Sequence, residues 1–246
     1  MLINIIQSLR DGNMEALKLS IAIALISIPI FMLAISLHEA AHGFVALKLG
    51  DPTAKSVGRL SLNPAKHFDV IGFIMLIFLG FGWAKPVPIN TRYFKKPKRD
   101  MAISAIAGPL SNLTLALVFA IFFKLYSLAY SNPAIDDALF LSAPWRILGI
   151  FLYYGIRLNI MFAIFNLLPI PPLDGSRLLL AFLPTRIYFK IQRYERYIFI
   201  ALIVLLFTGL LNVPLNFCIE KITDLYMWMF KIPWALPIGL LASLLY

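Results

Sequence analysis

The sequence predicts an all-α polytopic membrane protein with about five transmembrane helices and a short re-entrant or β-like element between the first span and the next. Composition and run length lead to this fold class. Of the 246 residues, 61% are apolar and only 14% are charged, and the mean hydropathy is +0.84. Soluble domains carry about a quarter charged residues, so this chain cannot build a water-facing surface. Several apolar runs also reach the length of about 20 residues that a spanning helix needs.

The apolar runs follow one another along the chain. The first candidate span covers 17–50, where Pro29 can kink the helix. The next run, 70–82, has only 13 residues and three glycines, which is too short for an upright span and favours the re-entrant or β-like element. The other candidate spans are 101–129, 145–170, 197–212 and about 222–245. Because no loop is long enough for a separate soluble domain, we expect 1–246 to form a single integral-membrane domain.

The net charge of +10 is concentrated in the segments 48–69, 85–99 and 177–196, which hold 15 of the 22 Lys and Arg residues. Basic residues of membrane proteins gather in cytoplasmic loops. If 70–82 is re-entrant, all three segments lie on the cytosolic side, and the acidic loop around 130–144 lies opposite. The N-terminus is then outside and the C-terminus inside. We expect the chain to lie in a lipid bilayer. We expect it to bind no nucleic acid, since no separate basic domain accompanies the charges.

Two of the three histidines lie one helical turn apart inside the first candidate span. His38 and His42 therefore project from the same helix face, where two neutral imidazoles can share a Zn²⁺ ion. Glu39 completes the H-E-x-x-H pattern and can act as general base toward a metal-bound water. Ionisable residues in a membrane helix are costly and indicate function. The alternative is that the cluster caps the helix end near the interface and bonds to loops.

A catalytic zinc site needs a third protein ligand, and Asp174 is the best candidate on sequence grounds. Three prolines break the helix just before it, and Gly175 lets the backbone turn. Irregular backbone at membrane depth is tolerated where it lines a cavity or is buried in protein. The alternative is that Asp174 lies in a solvated turn or caps the helix that starts near Ser176. The other acidic residues lie in loops or near span ends.

His38-Glu39-Ala40-Ala41-His42, followed by Asn166-x-x-Pro169-x-x-Pro172-Leu173-Asp174-Gly175, resembles the site-2 protease family of intramembrane zinc metalloproteases. The segments 58–69, 82–88 and 108–112 also resemble that family, so the likeness covers about 33 to 177. The compact bacterial and archaeal branch, without PDZ or CBS domains, fits this length. Relatives often have a second glycine where this chain has Ser176, and we expect zinc binding to tolerate the change.

The resemblance implies one zinc ion per chain, held by His38, His42 and Asp174 within the cell membrane near the cytosolic side. Glu39 would be the base, zinc-bound water the nucleophile, and a peptide bond in or near a transmembrane segment of a membrane protein the substrate. Asn112 and Asn166 lie in family-like motifs and are candidates for binding substrate or the oxyanion, or for interhelical hydrogen bonds. A separate regulatory membrane protein is a further expected partner.

Two smaller features have alternative interpretations. The stretch 83–90 could be an exposed edge strand that pairs with an unwound substrate, or an interfacial loop anchored by Trp83. His67 could order the loops around the site or lie on a surface loop. Three other protein classes fit the sequence less well. A protease for prenylated proteins would need a glutamate ligand on a later helix, a metal transporter would need more acidic or histidine residues, and an inactive scaffold would be expected to lack Glu39 or a ligand.

Overall fold

The computed structural model describes residues 2–79, 82–132 and 142–242. Their α-helices are, in chain order, α1 Leu2–Arg10, α2 Met14–Lys48, α3 Thr53–Ser56, α4 Val70–Leu79, α5 Pro97–Tyr130, α6 Ala143–Asn166, α7 Asp174–Phe182, α8 Thr185–Phe207, α9 Asn212–Met229 and α10 Ala235–Ala242. Short 3₁₀ turns lie at Pro64–Lys66 and Thr91–Tyr93. No β-strand occurs in these three described ranges, which agrees with the predicted all-α class.

Three helices, α2, α5 and α6, are long and apolar enough to cross a membrane. Within α2 and α5, Pro29 and Pro109 lie inside continuous helices and do not divide them. The part of α8 from Lys190 onward pairs with α9 at a bend of 79°, and the two would make one further broken span or a re-entrant loop. The described part of the chain thus has three candidate spans, or four with this pair, and the expected total of about five is not confirmed.

The break between α8 and α9 explains why the last two predicted spans have the wrong limits. Gly209, with φ of +72°, follows the end of α8 in the left-handed conformation that commonly ends a helix. The predicted span 197–212 therefore runs past the end of α8 at Phe207, and the predicted span 222–245 runs past the end of α9 at Met229. A second break after Met229 separates α9 from α10, and residues 243–246 lie outside the described ranges. The acidic residues Asp136 and Asp137 also lie outside them.

The short run 70–82 is helical, so its β-like interpretation was wrong. It forms the ten-residue helix α4, whose first turn is capped by Asp69 because its Oδ1 accepts a hydrogen bond from the Gly72 N–H at 2.7 Å. Residues 80 and 81 lie outside the description. Whether α4 enters the membrane as a re-entrant element stays a prediction.

The stretch 83–90 forms no strand in the structure, so the loop is the one of its two predicted interpretations that agrees with the fold. Pro86 and Pro88 lack backbone N–H groups, and the neighbouring backbone groups bond to side chains and loops instead of a second strand.

The core forms where α5 packs against α6, with side chains of α9 and α10 completing it. On α5 the buried residues Ala116, Phe119, Ala120 and Phe123 follow the helical repeat of one apolar face. Gly155 on α6 allows the close approach, since a Cβ there would lie 2.3 Å from the Phe119 ring. Because α2 packs against both helices, this core fixes the position of the histidine-bearing helix.

Candidate metal centre

Three side chains from two distant parts of the chain converge on one point. The Nε2 atoms of His38 and His42 lie 3.0 Å apart, and Oδ2 of Asp174 lies 3.0 Å from the first and 3.1 Å from the second. The histidines come from successive turns of α2, and Asp174 is the first residue of α7. All three side chains are buried. The Nδ1 atoms of both imidazoles bond to residues of α5, whereas Glu39 of the same cluster accepts from Val87 in a loop, so the loop contact of the alternative interpretation is present only at Glu39.

The hydrogen bonds on the far side of each imidazole decide which nitrogen carries the proton. Nδ1 of His42 lies 2.7 Å from the backbone oxygen of Ser104, which can only accept, so this Nδ1 carries the hydrogen. Nδ1 of His38 lies 2.7 Å from Oδ1 of Asn112. In neutral imidazoles both Nε2 atoms then carry no hydrogen, and their lone pairs face each other and the carboxylate.

The orientation of the Asn112 amide follows from its own partners. Its nitrogen donates to the Ala34 oxygen at 3.2 Å and to Oδ1 of Asn159 at 3.1 Å. Asn159 is oriented in turn, since its nitrogen donates to the Gly155 oxygen at 2.8 Å. Both N–H bonds of Asn112 are therefore used within the protein, which leaves no donor for a substrate oxygen. This geometry favours orientation of His38 over the expected contact with substrate or oxyanion.

Three acceptor atoms in contact, with no hydrogen between them, need a cation. Ligands of a tetrahedral Zn²⁺ with bonds of about 2.0–2.1 Å lie about 3.3 Å apart, close to the distances between these three atoms. Two imidazole nitrogens and one carboxylate oxygen also match the ligands of catalytic zinc sites. The side chains of His38, His42 and Asp174 therefore fit one zinc ion.

Gly108 on α5 keeps the space beside the two Nε2 atoms open. A Cβ at this position would lie 2.4 Å from Nε2 of His42 and 2.6 Å from Nε2 of His38. Any side chain here would push the rings aside, so a glycine is required for α5 to pass so close to them. The space next to the three ligand atoms is thus a built feature of the α2–α5 packing.

The turn before α7 brings Asp174 to the histidines. Gly175 packs against the preceding loop so closely that a Cβ would lie 2.1 Å from the Leu167 oxygen. Ser176 is buried and its hydroxyl donates to the Leu173 oxygen at 2.7 Å, which stabilises the same turn. The Asp174 side chain is itself buried, with its Oδ2 3.0 Å and 3.1 Å from the Nε2 atoms of His38 and His42. A solvated turn at Asp174 is therefore excluded.

Glu39 lies beside these residues on the wall of a cavity of about 500 Å³. Its Oε2 accepts a hydrogen bond from the Val87 N–H at 2.7 Å. Asn166 lines the same cavity at half-burial, with one N–H donating to the Phe162 oxygen at 3.0 Å. Arg177 also lines the cavity. The apolar part of the wall includes Ile35, Val87, Phe162, Phe165, Phe199, Leu202 and Ile203.

The stretch 83–90 crosses the cavity wall and is held at several points. Its N–H groups at Lys85, Val87 and Asn90 donate to the His67 oxygen, Oε2 of Glu39 and Oδ2 of Asp51, respectively. The Arg59 guanidinium donates to the Lys85 oxygen at 2.6 Å and to the Pro86 oxygen at 3.2 Å. These contacts hold the stretch against the metal-centre cavity.

Residues 142–208 match the sequence pattern described as Peptidase family M50. The Bacillus subtilis protein named "Putative zinc metalloprotease YwhC" is 43% identical over 175 residues, covering 71% of this chain and 77% of that protein. The chain belongs to peptidase family M50. Two further relatives are less similar. "Putative zinc metalloprotease MJ0611" of Methanocaldococcus jannaschii is 31% identical over 69% of this chain and 81% of its own length. "Putative zinc metalloprotease Rip2" of Mycolicibacterium smegmatis is 30% identical over 74% of this chain and 66% of its own length. No solved structure matches significantly.

Membership of M50 identifies the chain as a zinc metallopeptidase and confirms the resemblance to site-2 proteases. The apolar helices agree with a multi-pass membrane protein in a lipid bilayer.

Sequence reasoning missed several residues that shape this M50 site. Ser104 acts through its backbone oxygen, which no side-chain pattern can indicate. Asn159 is a fully buried amide in an apolar helix. An amide inside an apolar span was the feature that pointed to Asn112, and the same feature could have pointed to Asn159. Asp51 carried no mark among the acidic residues expected in loops or near span ends, yet it is fully buried and accepts hydrogen bonds from Thr53 and Asn90. His67, in contrast, was among the residues that the sequence pointed to: it is buried and orders the loop, with Nε2 2.7 Å from the Ser61 oxygen.

Proposed function

We propose that this M50 peptidase hydrolyses a peptide bond in or near a transmembrane segment of a membrane-protein substrate. His38, His42 and Asp174 are the proposed zinc ligands, and Glu39 is the proposed general base. One observation carries the assignment: three unprotonated acceptor atoms meet within 3.1 Å, beside a carboxylate on the wall of the same cavity. A structural zinc site would be closed by four protein ligands, whereas this group has three and opens to a cavity.

Zinc bound there would supply a Lewis acid for the scissile carbonyl and make water acidic enough to be a nucleophile near neutral pH. The Val87 N–H fixes one oxygen of Glu39 and leaves the other to accept a proton from the attacking water. Glu39 then returns this proton to the leaving amine. The Nδ1 bonds of His38 and His42 hold their rings so that the Nε2 lone pairs face inward.

The apolar cavity wall supports a hydrophobic substrate segment. Asn166 retains an N–H and its carbonyl oxygen toward the cavity, and we propose that they bind the backbone of the extended substrate. Asn112 is proposed to orient His38 and not to touch substrate. The stretch 83–90 is proposed to act as a cavity wall that positions Glu39 through the Val87 N–H.

We propose that the enzyme lies in the cell membrane with the site near the cytosolic side. The basic segments 48–69 and 177–196 adjoin the ends of α2 and the start of α7, which carry the proposed ligands. The positive-inside rule places such segments in the cytosol.

Two variants test the residue roles in purified protein. We expect Glu39→Gln to retain zinc and lose cleavage of a single-span substrate, because the site keeps its ligands but loses the base. We expect His38→Ala to lose both zinc and cleavage. Membrane proteins of cells with the wild type or Glu39→Gln are then compared for an uncut helix that accumulates. Full cleavage by Glu39→Gln would refute the base assignment, and unchanged zinc content in His38→Ala would refute the ligand assignment.

A further inference from the structure

A second cavity lies away from the metal centre, between the first turns of α5 and the last turns of α7. It has a volume of about 730 Å³ and an apolar lining, in which Phe182 is 81% exposed and Ile103 is 41% exposed. We call it the basic groove, and its lining residues are Lys96, Pro97, Lys98, Arg99, Ala102, Ile103, Ile106, Leu178, Ala181 and Phe182. Two apolar side chains this exposed need cover from lipid or from a ligand.

The three cations of the basic groove, Lys96, Lys98 and Arg99, all come from the start of α5. Arg99 is paired with Asp100, with a nitrogen–oxygen distance of 2.7 Å, and this neutralises the acid. Lys98 donates to a neutral group, the Leu183 oxygen, at 2.9 Å. Asp100 also accepts from the Lys96 N–H at 2.9 Å, but within the described ranges it is the one carboxylate that acts on these three cations, which leaves a net charge of two at the start of α5.

We propose that the basic groove binds one anionic phospholipid, with the phosphate at Lys96 and Lys98 and an acyl chain along Ile103, Ile106 and Phe182. An apolar channel with cations at the start of α5 complements an amphiphile with a negatively charged head. The groove lies at the start of α5, a candidate span, where headgroups and acyl chains meet. Basic sites between membrane helices on the cytosolic side are suited to anionic headgroups. The phosphate of an anionic headgroup makes charge-assisted hydrogen bonds with the lysine ammonium groups. A zwitterionic headgroup carries its own cation, which offsets the charge of its phosphate.

The position of the groove connects lipid binding with the metal centre. The nine-residue helix α7 begins at Asp174 and contributes Leu178, Ala181 and Phe182 to the groove at its other end. A lipid that bridges α5 and α7 would hold this helix against α5, which carries Gly108 and Asn112.

Lipid binding is tested by native mass spectrometry of the purified full chain, with phosphatidylglycerol compared with phosphatidylcholine. We expect the wild type to retain one phosphatidylglycerol in preference to phosphatidylcholine. The double variant Lys96→Gln/Lys98→Gln should bind phosphatidylglycerol roughly twentyfold more weakly, since each charge near an anionic headgroup contributes about fivefold. The control Lys55→Gln/Lys221→Gln changes the net charge equally at exposed positions outside the groove and should bind as the wild type does.

A second variant and a mapping experiment keep the proposal falsifiable if the double variant fails to fold. Ala181→Phe fills the apolar part of the groove without a change of charge and should also reduce retention. A photoreactive phosphatidylglycerol should label 96–106 and 178–182 in the wild type, and inorganic phosphate should not prevent the labelling. Equal retention by the Ala181→Phe variant and the wild type, labelling confined to other segments, or full competition by inorganic phosphate or by an acidic peptide would overturn the proposal.

Discussion

Replacement of Asn112 by leucine tests whether a buried amide controls zinc affinity through His38. Leucine has the same branching and number of side-chain heavy atoms but cannot accept the hydrogen bond from Nδ1 of His38. It also removes the donor to Oδ1 of Asn159, so the change leaves two buried polar atoms without partners. Each such atom costs about 1–3 kcal/mol. Loss of a hydrogen-bond partner of a metal-binding histidine typically lowers metal affinity by about 10–100-fold, and we expect zinc affinity to fall within this range.

The assay is competition for zinc between purified protein and a chromogenic chelator. Asn112→Asp isolates the bond to His38, because a carboxylate oxygen can still accept from Nδ1 while the donors to the Ala34 and Asn159 oxygens are lost, and we expect it to lose less zinc affinity than Asn112→Leu. Asn166→Leu is the control, since the Asn166 amide bonds only to its own helix at the Phe162 oxygen, and zinc affinity should not change. Wild-type zinc affinity in Asn112→Leu would refute the orienting role, as would equal losses in the leucine and aspartate variants.

Three further predictions concern the packing of the site. Gly108→Ala should abolish zinc binding because its Cβ would lie 2.4 Å from Nε2 of His42. The control Gly239→Ala, with open space around its Cβ, should leave the zinc content unchanged. Metal analysis of both purified variants tests this, and stoichiometric zinc in Gly108→Ala would contradict it. Asp51→Asn should destabilise the protein by about 1–3 kcal/mol, because an amide N–H₂ cannot serve both the Thr53 and Asn90 donors, and a thermal melt that matches the wild type would be inconsistent with this. Removal of zinc by a chelator should lower the melting temperature. Zinc at about 100 times its Kd should restore about 2.7 kcal/mol to the free energy of unfolding. His38→Ala should show no such response, and a response equal to that of the wild type would argue against the site.

The local pattern of the chain was sufficient to find the proposed ligands. His38 and His42 are four residues apart on one helix, so helical periodicity alone places their rings on the same face. The run of prolines before Asp174 indicated an irregular turn that lines a cavity, and the structure has that turn against the histidines. Membrane class followed from composition, because hydropathy depends on residue types and not on their arrangement.

Features that depend on where the chain bends were harder to predict. Hydropathy alone could not show that α8 ends at Phe207 or that Gly209 adopts a positive φ, so the limits of the last two spans were wrong. It also could not separate a short helix from a β-like element at 70–82. The prolines of 83–90 were compatible with an edge strand, yet an edge needs a sheet, and the described chain forms none.

The role of Asn112 shows the same limit at the level of one side chain. Its position in an apolar span predicted a hydrogen-bond partner, but the identity of that partner depends on the packing of α2 and α6 against α5. Gly108 is similar, because its importance comes from a distance of 2.4 Å to a residue 66 positions earlier in the chain.

Residue types and their local spacing determine that this chain belongs in a membrane and that one of its helices carries two histidines that could hold a metal ion, because both properties are expressed within a few turns of backbone. The fold alone decides that Asp174 meets this pair across 132 residues, that the Nε2 atoms are the free ones, and that Asn112 is engaged within the protein. These follow from contacts between helices distant in sequence, whose geometry is set by the packing of the core.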